Sequence, residues 1–379
     1  MNQGEFVEIG HTGGQVIFHI TTDHEGRQKY QVTFKHSRPV KAAIFCVYAI
    51  PQGIAVASVK DMGSGKPWSS PPIPNCYLVF IASDSEGMFG QQCPACNNYW
   101  RTRSLSTTCP YCGEKKDNYE FLTEAQQRYV FQYCQALNDA LESGEDGDYT
   151  IDMDAVADAV GKIGTKPPFY YSEETQQNKF TCEQCGNLND ILGKYGYCSL
   201  CGTRNDLQEL KKTMSTIRTR INSDGNYEAC VKDIVSAFDS FIGKLTTQLT
   251  NRVPMTTSRK KLFDKKLFHN LKATRDNVNL VFGIDIFDGL KSEEVAFAIL
   301  LFHRRHVYEH KGGEVDEKYI NDSGDTNVRI KQTIHETQES ANNLVEIISK
   351  MANNINKGFH DILPPENDPI EWFSKLKKR

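Results

Sequence analysis

Eight of the twelve cysteines fall into two sets with identical internal spacing, Cys93-x2-Cys96-x12-Cys109-x2-Cys112 and Cys182-x2-Cys185-x12-Cys198-x2-Cys201. Two cysteines separated by two residues turn both thiolates toward one ion, and a second pair a dozen residues on completes a tetrahedral all-sulfur shell. Such a shell leaves no coordination position open, so its chemistry is to hold a fold. Pro94 and Pro110 stiffen the first set's turns, and Gly113, Gly186 and Gly202 each follow a cysteine where the chain needs a left-handed residue. The N-terminal MNQGEFVEIGHTGG has neither the basic flank nor the apolar run of a secretory signal, so a cytoplasmic location is expected. Reduced thiols in that compartment favour metal over disulfides. Two structural zinc ions are therefore the expected cofactors, with rubredoxin-like iron the alternative. Spacing leaves open whether each set closes on itself or the pairs interleave. Cys46, Cys76, Cys134 and Cys230 read as small core residues.

A second constellation, LFHRRHVYEH, runs from Leu301 to His310 and continues as KGGEVDEKY to Tyr319. Three readings compete for it. His303, His306 and His310, at i, i+3 and i+7, share a helical face on which neutral imidazoles bind a metal, although Arg304 and Arg305 crowd the same turn with positive charge. Arg305 and Glu309 at i, i+4 form a surface ion pair, with His310 favoured by the helix C-terminus. The third reading comes from a resemblance to a known family.

The elements that must position these residues are of two kinds. Residues 1–92 are written as short β-branched and aromatic runs (GQVIFHIT, KYQVTFKH, KAAIFCVYAI, GIAVASVK, CYLVFIAS) separated by Gly, Pro and Asp, which predicts a small β-sandwich or barrel. The Gly/Ser/Pro-rich stretch from Met62 to Pro74 reads as a loop, and its Lys66 lacks the full spacing of a phosphate loop. Residues 93–202 hold the two ribbons, 93–112 and 182–201, around an insert with one helix, EAQQRYVFQYCQALNDALESG, followed by a solvated loop, SGEDGDYTID. From residue 203 to 379 five helical segments, the third over 260–282 and the fifth over 327–355, predict an all-α bundle, ending in a frayed basic tail. The whole is an α+β multidomain chain.

Charge refines this division. The total of 44 Lys plus Arg against 48 Asp plus Glu excludes a wholly basic nucleic-acid coat, yet residues 1–201 hold 16 against 23 and residues 202–379 hold 28 against 25, so −7 and +3 make up the −4. Residues 113–181 alone carry 14 acids against 6 bases. This insert reads as a connector between the ribbons, or as an acidic mimic that shields a basic site. Arg259, Lys260, Lys261, Lys265, Lys266, Lys272 and Arg275 form a basic stripe, either a solvated face or an RNA-tracking groove. No window is long and apolar enough to span a membrane.

Arg305-His306-x3-His310 at the end of a bundle helix, followed by Gly-Gly-x-x-Asp-x-x-Tyr, resembles the R-x4-6-H signature of the HEPN superfamily over roughly residues 208–379. The resemblance implies a metal-independent endoribonuclease that pairs such helices in a homodimer. Cleavage by the RNA's own 2′-hydroxyl needs a group near neutral pKa to move a proton and a fixed cation on the phosphate. His310 would be the acid/base and Arg305 the clamp, with Arg304, His306, Asp316 and Tyr319 auxiliary. Two residues five apart on a helix diverge by about 140°, so one copy makes a poor site alone. The resemblance further implies a toxin or antiphage-defence effector, with a trigger or regulator bound by the N-terminal region. The alternative is an inactive HEPN dimer that acts as a scaffold or binding regulator.

Overall fold

Alternation of apolar and polar residues builds the first hairpin. Strands β1 (Glu8–Gly10), β2 (Gln15–Thr22) and β3 (Gln28–Lys35) open the chain, and β2 pairs with β3 from Gln15↔Lys35 to Thr22↔Gln28. The turn between them is fixed by Asp23, whose Oδ1 accepts from the backbone N–H of Glu25 and of Arg27 at 3.0 and 2.9 Å. Next come β4 (Ile44–Ile50), β5 (Ile54–Ser58), β6 (Tyr77–Ala82), β7 (Phe89–Gln92) and β8 (Tyr99–Thr102). Helix α1 (Glu124–Glu142), β9 (Gly147–Asp152), α2 (Met153–Asp158), β10 (Ser172–Glu174), β11 (Asn178–Thr181) and β12 (Leu188–Ile191) follow. The structure is a computed structural model and describes residues 6–37, 43–59, 69–158, 169–264, 268 and 270–378. Lys66, Lys265 and Lys266 lie outside the described residues.

Two compact units emerge, residues 1–202 joined by 366–379, and residues 203–365. The first contains four small sheets, with strand orders β1-β10, β3-β2-β9, β5-β4-β6 and β7-β8-β12-β11. Helix α1 packs against strands of both three-stranded sheets. Its Tyr129, Val130, Tyr133, Cys134 and Leu137 share one buried cluster with Val16 and Phe18 of β2, Phe45 and Val47 of β4, and Val79 and Ile81 of β6. A capping box starts the helix: Thr123 Oγ1 accepts from Gln126 N at 3.2 Å, and Thr123 N donates to Gln126 Oε1 at 3.0 Å.

The segment expected as a solvated acidic loop is strand β9, paired with β2 from Gln15↔Asp152 to Ile20↔Gly147. Its acids are held across the pair, Asp148 Oδ1 by His19 Nδ1 at 2.6 Å and Asp146 Oδ1 by the Thr22 hydroxyl at 2.7 Å, while Ile151 turns inward. Acidic composition masked a two-residue alternation.

The second unit contains α3 (Asp206–Ser223), α4 (Tyr227–Arg252), α5 (Thr257–Asp264), α6 (Leu271–Phe282), α7 (Ser292–His310), α8 (Glu317–Ser323) and α9 (Gln338–Ile362). Helix α4 packs on α3, α7 and α9. Phe238, Phe241, Ile242 and Leu245 of α4 are buried, as are Leu344, Ile348 and Ile355 of α9 and Leu301 and Phe302 of α7. The predicted third helix is divided, because Asn270 accepts from Ala273 N at 3.1 Å and starts α6 afresh. The predicted fifth helix begins only at Gln338, where Thr337 Oγ1 accepts from Ser340 N at 3.0 Å. Ahead of that cap the chain pairs with the turn after α7, through Val315 N to Gln332 O at 2.9 Å and Ile334 N to Gly313 O at 3.0 Å. The closing basic residues, read as a frayed tail, belong largely to α10 (Asn367–Lys377), which lies in the first unit. No helix of the described residues is long and apolar enough to cross a membrane.

Candidate functional site

Each cysteine set closes on itself. Cys93, Cys96, Cys109 and Cys112 form one group and Cys182, Cys185, Cys198 and Cys201 the other, and within each group all four sulfurs lie within 4.8 Å of one another. The nearest pairs are Cys93–Cys112, Cys96–Cys109 and Cys182–Cys201 at 3.7 Å and Cys185–Cys198 at 3.5 Å. Metal–sulfur bonds of about 2.3 Å in a tetrahedron place sulfurs roughly 3.8 Å apart, whereas a disulfide needs about 2.05 Å. The donor set therefore fits a four-coordinate thiophilic dication in both places, with every position taken by protein.

The backbone of both sets is the same. Cys93 N donates to Asn98 O and Cys182 N to Asn187 O, at 3.0 and 2.9 Å, and Asn97 N and Gly186 N return to Cys93 O and Cys182 O, both at 2.8 Å. Gly113, Gly186 and Gly202 have φ of 72°, 72° and 75°, and Asn97 takes the corresponding place in the remaining turn at 58°. Four thiols this close share protons unevenly: the hydrogen bond with Cys109 draws Cys112 down to about 5 and pushes Cys109 up. A bound dication removes that conflict by holding all four as thiolates.

A shift of 89 residues maps the first set onto the second, and contacts between the ribbons obey the same shift. Strand β8 pairs with β12 through Thr102↔Asn189 and Arg101↔Asp190. Thr108 N donates to Ser199 O at 3.1 Å, and reciprocally Tyr197 N donates to Pro110 O at 2.8 Å. Arg101 and Asp190 occupy equivalent positions and meet at 2.7 Å, both fully buried. Arg101 also reaches Asp84 at 2.5 Å and Glu86 at 2.9 Å. This buried ion cluster was missed in the sequence, although an Arg and an Asp at the same place in a repeat was a readable sign.

In the second unit the last two turns of α7 carry the other constellation. Arg305 Nη2 pairs with Glu309 Oε2 at 2.9 Å, while its buried Nε has no hydrogen-bond partner among the described residues. His306 and His310 are exposed, their rings 4.6 Å apart between centroids. His303 is half-buried, and that burial lowers its pKa. Lys260 and Lys261 are exposed on α5.

Arg304 points the other way, into a closed polar network. Its Nη1 donates to Glu336 Oε1 and its Nη2 to Asp325 Oδ2, both at 3.1 Å, and Nε approaches the Tyr319 hydroxyl at 3.4 Å. Tyr308 donates to Glu336 at 2.6 Å and Tyr319 to Asp325 at 2.8 Å. Although burial opposes its charge, the bond with Tyr319 and the two carboxylates hold the Arg304 guanidinium above its ordinary pKa. Asp316 caps α8, its Oδ1 accepting from Tyr319 N at 2.8 Å. The network ties α7 to α8 and to the start of α9. Asp325, Glu336 and Tyr308 were not singled out in the sequence, since nothing in their spacing marks a shared partner.

A comparison with protein-family models, with curated proteins and with solved structures finds no match to this chain.

Proposed function

We propose that the protein is a metal-independent endoribonuclease of the HEPN type, with the helical unit as a HEPN bundle that dimerises through α7 and the two cysteine sets as structural zinc ribbons. The observation that carries this reading is the end of α7: Arg305 and His310 lie on its last turns with His306, and the Arg304 network anchors those turns to α8 and α9. In this reading Arg305 clamps the scissile phosphate through a bidentate fork. His310 takes the proton of the 2′-hydroxyl or returns one to the leaving oxygen. The angular divergence of Arg305 and His310 on one helix is resolved by a second copy, whose Arg and His complete the cleft. The residues of the chain supply this chemistry without a metal, and RNA is the substrate. The two three-stranded sheets with α1 then serve as a small sandwich-like regulatory part that meets a trigger, in a cytoplasmic defence or toxin effector.

The Arg305–Glu309 pair favours a second reading, an inactive dimer used as a scaffold, because the clamp is already occupied. Incubation of the full-length protein with RNA in the presence of a chelator separates the two. The nuclease yields fragments ending in cyclic phosphate, and Arg305→Ala and His310→Ala each lower the rate by about 100-fold or more. RNA left equally intact by all three proteins supports the scaffold.

A further inference from the structure

The two tetrads share spacing and backbone but differ in what covers them. In the second, all four cysteines are buried. Helix α10 lies over it: Ile370 packs against the four cysteines, and the Phe373 ring occupies the face of Gly186, where a Cβ would stand 2.4 Å from its Cε2. Glu366 N anchors the start of this cover on Cys201 O at 2.8 Å, and Lys115 Nζ holds the Glu366 carboxylate at 2.6 Å. In the first tetrad Cys93 and Cys109 are buried, but Cys96 and Cys112 are partly exposed and the knuckle residues 94, 95, 97 and 98 are open to solvent. Each of these partly exposed cysteines has the sulfur of a buried one 3.7 Å from its own, Cys109 for Cys96 and Cys93 for Cys112.

We infer that the first tetrad is a thiol-modification site for peroxides, and that α10 withholds the matching second tetrad from the same chemistry. Cys96 or Cys112 attacks the peroxide as thiolate, an S–O bond forms, the O–O bond breaks and hydroxide leaves. The buried partner then attacks that sulfur, the S–S bond forms and the second oxygen leaves as hydroxide. Two thiolates lose two electrons, the peroxide gains them and, with two protons from solvent, becomes two waters. The set is left with two of its four ligands and releases its metal. The second set has no exposed sulfur to begin the sequence. This inference stands apart from the nuclease proposal, since it concerns the ribbons alone.

The experiment treats the full-length, metal-loaded protein with hydrogen peroxide, follows metal release with a chromophoric chelator, and maps oxidised and alkylated cysteines by mass spectrometry. One equivalent of metal leaves first, with disulfides confined to Cys93, Cys96, Cys109 and Cys112, and the second follows at least about ten-fold more slowly. Phe373→Ala speeds the second phase and leaves the first unchanged; Ile370→Ala, which keeps the ring, gives the same shift in a milder form. Simultaneous release, earlier modification of Cys182, Cys185, Cys198 or Cys201, or an unchanged second phase in both variants overturns the inference.

Discussion

Glu173 is a carboxyl buried away from solvent. It is 1% exposed on β10, Tyr99 OH donates to its Oε2 at 2.6 Å and Gln126 Nε2 to its Oε1 at 3.1 Å, yet burial still pushes its pKa up to about 7. The folded state thus binds the proton more tightly than the unfolded chain, where a Glu titrates near about 4.3. That contribution to stability is fully present below the unfolded value and disappears as pH rises through about 7. Thermal unfolding of the wild type is therefore expected to lose stability between roughly pH 4 and pH 7 through this group, and Glu173→Gln, which keeps the shape, flattens that part of the profile. An equally steep profile in the variant contradicts the assignment. Such a residue was not legible in the sequence, where it counts only as one of the acids of the insert between the ribbons. The placement of Arg305 and His310 at the end of a helix was legible, because the apolar pattern ahead of them ends before Gly312 and Gly313. Arg304 was legible as a neighbour of Arg305 but not as a network residue, because its carboxylate partners arrive from Asp325 and Glu336, far along the chain.

Single strands and helices were read well where a β-branched and aromatic run or a period of 3.6 was undisturbed, as in β2, β4, α4 and α7. They were read poorly where a cap or a pairing decides. Asn270 and Thr337 delay helices that their apolar pattern would start earlier, and β9 is a strand because β2 offers it a partner. The pairing of β8 with β12 belongs to the same class, since four-residue strands acquire their register from the ribbons they join. At its centre the Arg101 guanidinium is buried and balanced by Asp84, Asp190 and Glu86. Asp190→Ala takes away the buried acceptor that the Arg101 Nη1 and the Gln176 backbone N–H share, and the expected cost to the first unit is about 3 kcal/mol, read as a lower urea midpoint. A loss within the range of ordinary surface substitutions, about 0.5 kcal/mol, would show that the cluster does not join the ribbons energetically.

Across the whole molecule the near-neutral total conceals a division of labour. The excess acid lies wholly before residue 202, where β9 sets Asp148 and Asp152 into a sheet, and the C-terminal segment returns as α10 to cover the second cysteine set. The helical unit keeps the Arg and His residues on α7 and the exposed Lys260 and Lys261 on α5. Composition could not show that the chain's last helix belongs with its first sheets, because that depends on Ile370 and Phe373 finding a surface built 180 residues or so earlier. The central claim is that each cysteine set is a closed four-sulfur metal centre. X-ray absorption at the metal edge of freshly reduced protein, with elemental analysis of the same sample, tests it most directly. The account predicts two zinc ions per chain with only sulfur in the first shell, at about 2.3 Å. Protein without metal, one ion per chain, or nitrogen or oxygen among the ligands would contradict it.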